Sequence, residues 1–274
     1  MKTEDFELLS GLLKERSGLV ISKEKLYLLE SRLVPLARKR GMDGLEDLVN
    51  ALRLAPEEQL LSDVTEAMTT NESSFFRDIT PFENFRKIIL PELLEMRANA
   101  KSIRIWSAAC STGQEPYSLA MCLREEAANL AGWRIEIIAT DLSNDVLEKA
   151  KVGLYSQFEV QRGLPIQLLV KYFSQVDEMW QVDPAIRAMV KFRTINLLED
   201  HAAIGAFDVV FCRNVLIYFD PPTKGAVLDR LGRSMPNDGF LFLGGAETVL
   251  GISTAFQPMN GCRGIYRLAP QTPH

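Results

Sequence analysis

The sequence has little histidine, few cysteines and no long hydrophobic run, and each shortage excludes a class of protein. Only two histidines, His201 and His274, occur in 274 residues, too few for a histidine-based metal site or acid–base pair. The four cysteines show no C-x-x-C spacing, which argues against a zinc site or disulfide framework and favours buried, reduced thiols. No stretch approaches the roughly 20 apolar residues of a membrane helix, and the acids near the start are untypical of a signal peptide. We therefore expect a cytoplasmic protein that does not insert into membranes and holds no metal.

Negative charge exceeds positive charge over the whole chain, but the first part of the chain is basic. The net charge is −5, whereas residues 14–40 carry eight basic and three acidic side chains. This run includes Arg32, Arg38, Lys39 and Arg40. One interpretation is an ordinary solvated helix face. The other is a docking surface for an acidic partner, because complementary charge speeds encounter and fixes orientation.

Residues 1–70 are predicted to form a small helical domain. Leucines recur there at helical spacing, and glycines and a proline separate the segments. Pro35 falls inside the basic helix, where a proline can introduce a kink. A linker and a helix are predicted over residues 71–100. Thr80 is predicted as the N-cap of that helix, because proline follows it at the first helical position.

From residue 101 onward, strand and helix patterns alternate, which predicts a doubly wound, mostly parallel α/β sheet with helices on both faces. Residues 101–274 would form this second domain. The segment of about 157–190 fits the alternation poorly, so we interpret it as a short inserted β-subdomain. The predicted strands are Ser102–Ala108, Arg134–Thr140, Phe192–Ile195, Phe207–Cys212, Phe240–Gly244 and Gly264–Leu268.

Ligands of such sheets bind beyond the carboxyl ends of the strands, so the residues that follow each strand form the candidate site. Small residues at 109–113 follow the first strand and let the backbone approach a ligand, although such turns also serve tight packing. Asp141 follows the second strand. It could accept hydrogen bonds from the ribose hydroxyls of a nucleoside, or it could simply cap the next helix. Asn196 and Asn214 follow the third and fourth strands, and the set together favours a nucleoside cofactor.

Four longer runs occupy these positions. They are N-x-[ST]-x-F-F-R from Asn71, W-S-A-A-C-S-T-G-Q-E-P-Y-S from Trp106, A-T-D from Ala139 and F-C-R-N-V-L-I-Y-F-D from Phe211. On these runs, and over essentially its full length, the chain resembles the CheR family of chemotaxis receptor methyltransferases. The resemblance implies a class I methyltransferase fold with S-adenosyl-L-methionine as the cofactor and S-adenosyl-L-homocysteine as the product.

The resemblance also implies roles for particular residues. The cofactor is expected to contact Asn71, Ser73, Arg77, Glu115, Asp141, Asn196, Leu197, Asn214 and Val215. Arg77 and Tyr218 are the expected catalytic side chains near the methyl group. The expected substrates are glutamate side chains on the cytoplasmic methylation helices of chemoreceptors, with Arg32, Arg38, Lys39 and Arg40 as the docking surface. We expect a monomer that binds no nucleic acid.

Glutamate esterification needs no general base, because a carboxyl with an intrinsic pKa near 4.3 is already ionised at pH 7. The shortage of histidine agrees with such a reaction. The sequence departs from the family pattern at Gly244–Glu247, where a histidine often present in a strand-end G-H-S-E is absent. The inserted subdomain lacks a Gly-rich turn, which leaves the binding of a receptor's C-terminal peptide open.

Two other functions stay open at this stage. The basic run and the tripeptide Asp220-Pro221-Pro222 could belong to a nucleic-acid methyltransferase, but Thr223 stands where such an enzyme needs an aromatic residue to stack on a flipped base. The second alternative is a non-catalytic module that senses the cofactor and interacts through its helical domain.

Overall fold

The computed structural model describes residues 1–270 and divides into two compact units. One unit consists of Met1–Thr70 with Tyr218–Thr223, and the other takes the remaining described residues. His274 lies outside the described residues. Within the described range, no helix has the length and apolar character of a membrane span.

The first unit is a helical bundle built on leucine-rich faces. Its helices are α1 (Thr3–Ser17), α2 (Leu26–Lys39), α3 (Leu45–Leu54) and α4 (Glu58–Met68), with a 3₁₀ turn at Lys23–Lys25. Leu13, Leu33 and Val64 are fully buried between the helices. The helix α2 is continuous through Pro35, which is exposed. Because α1, α2 and α4 each bury one face, most of their charged residues lie on the opposite faces, while Asp5 of α1 is buried.

The second unit contains all ten strands that the structure describes. They are β1 (Ser102–Ala108), β2 (Arg134–Asp141), β3 (Leu154–Ser156), β4 (Phe173–Val176), β5 (Met179–Val182), β6 (Val190–Thr194), β7 (Val209–Cys212), β8 (Phe240–Leu243), β9 (Phe256–Pro258) and β10 (Ile265–Leu268).

Seven of these strands form one sheet in the order β6-β2-β1-β7-β8-β10-β9. The five strands from β6 to β8 are parallel, and β10 runs antiparallel to β8 and to β9. Central strands such as β1 are apolar and buried along most of their length, as expected for a parallel sheet covered on both faces. The predicted fold class is confirmed.

Helices cover the sheet and connect its strands. They are α5 (Thr80–Asn84), a π-helical segment (Phe85–Ile89), α6 (Leu90–Met96), α7 (Gln114–Glu125), α8 (Asn144–Val152), α9 (Gln157–Gln161), α10 (Ile166–Tyr172), α11 (Pro184–Arg187) and α12 (Pro221–Arg233), with short 3₁₀ turns at Ala202–Ile204 and Leu216–Tyr218.

The remaining strands form a small antiparallel sheet in the order β3-β5-β4, between α8 and β6 along the chain. Tyr155 on β3 is buried, and its ring packs edge-on against Phe75 with 4.9 Å between centroids. This insertion is therefore tied to the segment that precedes α5. The turn between β4 and β5 contains Asp177 with a φ of 52° instead of a glycine.

Two details of the predicted elements are wrong. Strand β9 was not predicted, because a three-residue edge strand leaves too short a pattern. Thr80 is not an N-cap: it is the first residue of α5, Ile79 precedes it with a φ of 49°, and no side chain caps the helix.

The strand order places a topological switch point between β1 and β7. The chain moves from β1 outward through β2 and β6, then returns to β7 and moves outward on the other side through β8. Connections on the two sides therefore diverge and open a crevice at the carboxyl ends of the central strands. The segments that follow β1, β2, β6, β7 and β8 line this edge.

Candidate active site

The loop after β1, residues 109–113, has a strained backbone. Ala109, Ser111 and Gly113 have φ angles of 58°, 52° and 94°. The left-handed region is costly for residues with a Cβ, and such strain concentrates at functional sites. Positive-φ residues alternate here with residues of ordinary φ, an arrangement that can turn successive N–H groups toward one concave side that suits an anion or nucleotide.

Asp141 ends β2 and orders this loop. Its carboxylate accepts the Ser111 N–H at 2.8 Å and the Ser143 N–H at 3.0 Å, and the residue is only 8% exposed. Ser143, and not Asp141, is the N-cap of α8, because the Ser143 hydroxyl accepts the Val146 N–H. The simple helix-cap interpretation of Asp141 is therefore wrong. A carboxylate at this edge of the sheet is a group that can accept hydrogen bonds from a ribose diol.

Glu115 lies in the first turn of α7, directly behind the loop. Its carboxylate accepts the Ser107 hydroxyl at 2.8 Å and pairs with the buried Arg213 guanidinium at 3.0 Å. Burial raises the pKa of the Glu115 carboxyl, while Arg213 and Ser107 act in the opposite direction. These contacts hold the Glu115 side chain in one position. Arg213 is a site residue that the sequence reasoning missed.

The residues after β6 and β7 lie at the same edge of the sheet. Asn196 turns its side-chain oxygen back onto the Leu198 N–H at 3.0 Å, and Leu197 is buried. Asn214 has a φ of 59°, and Val215 beside it is half-buried. An apolar side chain can pack against the face of a planar base, and a neighbouring amide can form hydrogen bonds with its polar edge.

The linker segment from Asn71 to Arg77 reaches the loop after β1. The Asn71 carbonyl accepts the Ser111 hydroxyl at 2.7 Å, and the Phe76 N–H donates to the Ser118 hydroxyl on α7 at 2.9 Å. Arg77 is half-buried, and its guanidinium donates to the Glu72 carbonyl at 3.2 Å. Ser73 is half-buried as well. The structure therefore brings the linker residues to the same edge as Asp141.

Glu247 is a second residue that sequence reasoning left without a role. Its carboxylate accepts the backbone N–H groups of Gly244 at 2.7 Å and Asn214 at 2.8 Å, and that of Ile217 at 3.3 Å. A Cβ at residue 244 would lie 2.7 Å from the side-chain nitrogen (Nδ2) of Asn214 and 2.7 Å from a carboxylate oxygen of Glu247. The glycine and the glutamate in the run that follows β8 could have signalled this role. Glu247 fixes the loops after β7 and β8 in one arrangement.

A cleft of about 720 Å³ opens beyond β8, and we call it the β8 cleft. Its lining includes Asp78, Gly244, Gly245, Glu247, Arg263 and Tyr266. Because Glu247 also bonds to Asn214, the β8 cleft adjoins the residues that follow β7. An acceptor molecule that enters the β8 cleft would reach the same sheet edge as a ligand bound at Asp141.

The remaining predicted residues belong to the helical unit. The Tyr218 carbonyl accepts the Val20 N–H at 3.0 Å, so this candidate catalytic residue is grouped with the helical unit. Arg32 donates to the carbonyls of Met68 and Thr69 at the end of α4, at 2.8 and 2.7 Å.

The other three predicted docking residues cluster at the end of α2. Arg40 pairs with Asp63 at 2.7 Å. Arg38 and Lys39 are exposed, and their side chains form no hydrogen bond or ion pair within the described part of the chain. Arg32 and Arg40 thus have internal partners, and Arg38 and Lys39 offer their charge to solvent.

The cysteines and the described histidine stand apart from this chemistry. All four cysteines are free and buried, which confirms the prediction, and burial raises the pKa of Cys110 and Cys212. His201 is buried against Trp106, and burial lowers its pKa. No metal-binding cluster of side chains is found in residues 1–270.

Comparisons with known proteins give matches over nearly the full length of the chain. A family model described as CheR methyltransferase, SAM binding domain, matches residues 71–265, and one described as CheR methyltransferase, all-alpha domain, matches residues 4–69. Chemotaxis protein methyltransferase 1 of Pseudomonas aeruginosa is 42% identical over 265 residues, 95% of this chain and 96% of that protein. A chemotaxis protein methyltransferase of Vibrio anguillarum is 37% identical over 97% of both chains. A solved glycopeptide N-methyltransferase, MtfA with S-adenosyl-L-methionine, is 14% identical, covers 56% of this chain and 48% of that chain, and has a TM-score of 0.34.

Proposed function

The chain belongs to the CheR methyltransferase family, and we propose that it esterifies glutamate side chains on the cytoplasmic helices of chemoreceptors. It is an S-adenosyl-L-methionine-dependent methyltransferase. Relatives named chemotaxis protein methyltransferases match nearly the full length, which supports chemoreceptors as the substrates. The observation that carries the proposal is the Asp141 carboxylate, held by Ser111 and Ser143 at the carboxyl edge of the sheet.

The residues at this edge fit a cofactor that carries an adenosine. Asp141 would hold the ribose hydroxyls, Asn196 and Leu197 would border the base, and Asn214 would meet the amino acid end. The strained loop at 109–113 supports this assignment, since non-glycine residues keep a positive φ only where their surroundings enforce it. When bound, S-adenosyl-L-methionine supplies a methyl group on a positively charged sulfur, which leaves as a neutral thioether with the electron pair of the broken bond.

The protein's task is to place the acceptor, because a glutamate carboxylate is already the nucleophile at pH 7. In-line placement of two reactants is worth roughly 7 to 11 kcal/mol in favourable cases. Arg77 would orient the carboxylate or the acid end of the cofactor through its planar guanidinium. Tyr218 would direct its hydroxyl toward the same carboxylate. One carboxylate oxygen would form the new bond to carbon, and no proton would move.

We further propose that the exposed end of α2 receives the acidic helices of the receptor. Arg38 and Lys39 carry this proposal, because both side chains are exposed and form no hydrogen bond or ion pair with a described residue. Arg32 and Arg40 support the surface indirectly by joining α2 to α4. Docking would therefore depend on the first pair more than on the second.

The test is transfer of a tritiated methyl group to purified cytoplasmic fragments of chemoreceptors. The wild-type protein is expected to label the fragments, and alkali is expected to release the label as methanol, because an ester is base-labile and a methylamine is not. Asp141→Asn should lose cofactor affinity by about 100-fold, since it removes the charge that the ribose hydroxyls bond to.

The other outcomes would identify the alternatives. Label on nucleic acid but not on receptor fragments would indicate a nucleic-acid methyltransferase. If calorimetry measured cofactor binding and no receptor supported turnover, the protein would be a non-catalytic module. Alkali-stable label on receptor fragments would contradict ester formation.

A further inference from the structure

The backbone is strained in residues 76–79, the segment that contains Arg77. Phe76, Asp78 and Ile79 have φ angles of 48°, 68° and 49°. The Thr80 N–H bonds to the Asp78 carbonyl across Ile79, which makes a rare γ-turn. A positive φ is an outlier for a β-branched residue such as isoleucine, so neighbouring groups must hold this turn. We call residues 76–79 the Arg77 turn.

The buried guanidinium of Arg213 holds this turn. It donates to the Arg77 carbonyl at 2.9 Å and to the Asp78 carboxylate at 2.7 Å, and the Arg213 side chain is only 1% exposed. The guanidinium carbon also lies 5.6 Å from the centre of the Phe82 ring on α5. A desolvated guanidinium needs carboxylate partners, and Asp78 supplies one of them from the turn itself.

The second carboxylate partner of Arg213 is Glu115, at 3.0 Å. Glu115 is in the first turn of α7, and Ser118, one turn further along this helix, accepts the Phe76 N–H. The Arg77 turn is therefore attached to α7 at two points, one backbone and one through Arg213. Movement of the turn would separate Arg77 from the loop that Asp141 orders.

We propose that Arg213 and Asp78 are positioning residues for methyl transfer, which fix Arg77 and Glu115 in one geometry at the cofactor site. This inference rests on the proposed function for its kinetic readout, because Arg77 is taken to contact the acceptor or the cofactor. Arg213 is buried, and Asp78, although it lines the β8 cleft, needs no contact with a ligand for this role. Their effect on the reaction should pass through Arg77.

The first test is Asp78→Ala, which leaves the pair of Arg213 and Glu115 in place. Asp78 is 53% exposed, so the variant should fold. Glu83→Ala is the matched control, because Glu83 is 54% exposed, lies on the adjoining α5 and also pairs with a cation, Lys87. Asp78→Ala is expected to weaken S-adenosyl-L-homocysteine binding and to lower kcat, each about tenfold, because a small misplacement at a reacting centre is costly. Its Tm should fall below that of the control, because the buried guanidinium loses one carboxylate partner, so both readouts are taken at a temperature at which both variants are folded.

A double-mutant cycle with Arg77→Ala decides whether the effect passes through Arg77. In the Arg77→Ala background, Asp78→Ala should change neither quantity by more than about twofold, because the group it positions is gone. Effects of Asp78→Ala that multiply with those of Arg77→Ala would overturn the proposal. So would an Asp78→Ala protein that equals Glu83→Ala in both readouts.

Arg213→Lys supplies the conservative variant. Lysine keeps the charge beside Asp78 and Glu115 but cannot fork onto both and onto the Arg77 carbonyl. We expect it to fold and to show the Asp78→Ala phenotype; wild-type kinetics in this variant would also overturn the proposal. Calorimetry measures the binding of S-adenosyl-L-homocysteine without an acceptor. If the wild-type protein shows no turnover on receptor fragments, the proposed function is wrong. The binding measurements still decide this inference.

Discussion

The β8 cleft is lined by two acidic residues that have partners and by one arginine that pairs with no carboxylate among the described residues. Asp78 pairs with Arg213, and Glu247 accepts three backbone N–H groups. Arg263 is exposed, and its guanidinium donates at 3.3 Å to the Gly245 carbonyl. Arg263 forms no ion pair within the described residues. Among the residues that line the β8 cleft, Arg263 is therefore the cation that an incoming carboxylate would meet.

Reversing the charge of Arg263 should weaken acceptor binding alone. We expect Arg263→Glu to raise the KM for receptor fragments about tenfold and to leave the cofactor KM unchanged, because a rim charge acts on association with a charged partner. Steady-state kinetics with each substrate varied in turn measure both quantities.

The control for this change is Arg233→Glu. Arg233 is also exposed and has no ion pair in the described part of the chain. It is the last residue of α12, and the carbonyl of the next residue, Ser234, accepts the Phe207 N–H just before β7. It therefore lies toward the opposite edge of the sheet. An equal rise of the acceptor KM in both variants would show an effect of net charge and not of the β8 cleft.

At the scale of elements, three charged residues join the strands on the β6 side of the sheet. Arg104 on β1 donates to Glu136 on β2 at 2.7 Å, and Lys191 on β6 donates to the same carboxylate at 2.8 Å. The hydrogen bond from Lys191, followed by that from Arg104, lowers the pKa of Glu136 to about 2 from an ordinary value of 4.5. The ionised carboxylate therefore binds three strands together.

Glu136→Gln is expected to lower the free energy of unfolding by about 1 kcal/mol at pH 7, as for a small ion-pair network. A lowered folded-state pKa means that this stability is present above pH 4.5 and is lost as the pH falls toward 2. The difference between wild type and variant should thus shrink between pH 7 and about pH 3.5. Urea unfolding at both pH values measures it, and Glu148→Gln, a surface pair with Lys151, should show a smaller difference at pH 7. A difference independent of pH would contradict this account.

A second element-scale contact joins the insertion to the segment that carries Arg77. Gly163 has a φ of 90°, and a Cβ there would lie 2.2 Å from the Phe75 carbonyl oxygen. Gly132 has a similar φ of 80° with no atom within 4 Å of the same position. The two glycines therefore separate the cost of backbone strain from the cost of a steric clash.

Gly132→Ala should lower the free energy of unfolding by about 1 kcal/mol through backbone strain alone. Gly163→Ala should cost at least about 2 kcal/mol more, because the added methyl must displace the Phe75 backbone. Denaturant midpoints at a constant m-value measure the difference. Since Phe75 precedes Arg77, kcat should fall in Gly163→Ala and stay at the wild-type value in Gly132→Ala. Equal stabilities of the two variants would show that the Phe75 backbone yields freely.

At the scale of the whole molecule, charge is distributed unevenly along a chain of net charge −5. The basic run lies in the helical unit, where Arg38 and Lys39 stay exposed. Salt largely screens the attraction between exposed charges that are separated by more than a Debye length, which is about 10 Å at 0.1 M. Docking of an acidic partner should therefore depend on ionic strength, whereas cofactor binding at the buried Asp141 should not.

We expect the KM for receptor fragments to rise several-fold between about 0.05 and 0.3 M salt, and the cofactor KM to stay constant. The double variant Arg38→Glu/Lys39→Glu should have a high receptor KM already at low salt and a flattened salt dependence. Arg134→Glu/Arg233→Glu changes the net charge equally at exposed sites elsewhere. Should both double variants lose the salt dependence alike, docking at α2 is wrong.

The sequence by itself determined the fold class and placed candidate site residues at one edge of the sheet. Apolar runs such as Val209–Cys212 fit a buried parallel strand, and alternation with helices predicts a doubly wound sheet. Because parallel strands end at one edge, Asp141, Asn196 and Asn214 could be placed at that edge without coordinates. The short edge strand β9 was missed, because its three residues carry too little periodicity.

Only the tertiary structure decided how the site is held together. Arg213 meets Asp78 and Glu115 across 135 and 98 residues of chain, and Glu247 meets Asn214 across 33. Pairings of this kind follow from strand order and from the path of the loops, which local pattern does not encode. The positive φ of Ile79 has the same origin, since a β-branched residue keeps such a conformation only where its surroundings hold it. The sequence thus identifies candidate residues at the edge of the sheet, and the fold supplies the contacts that keep them in position.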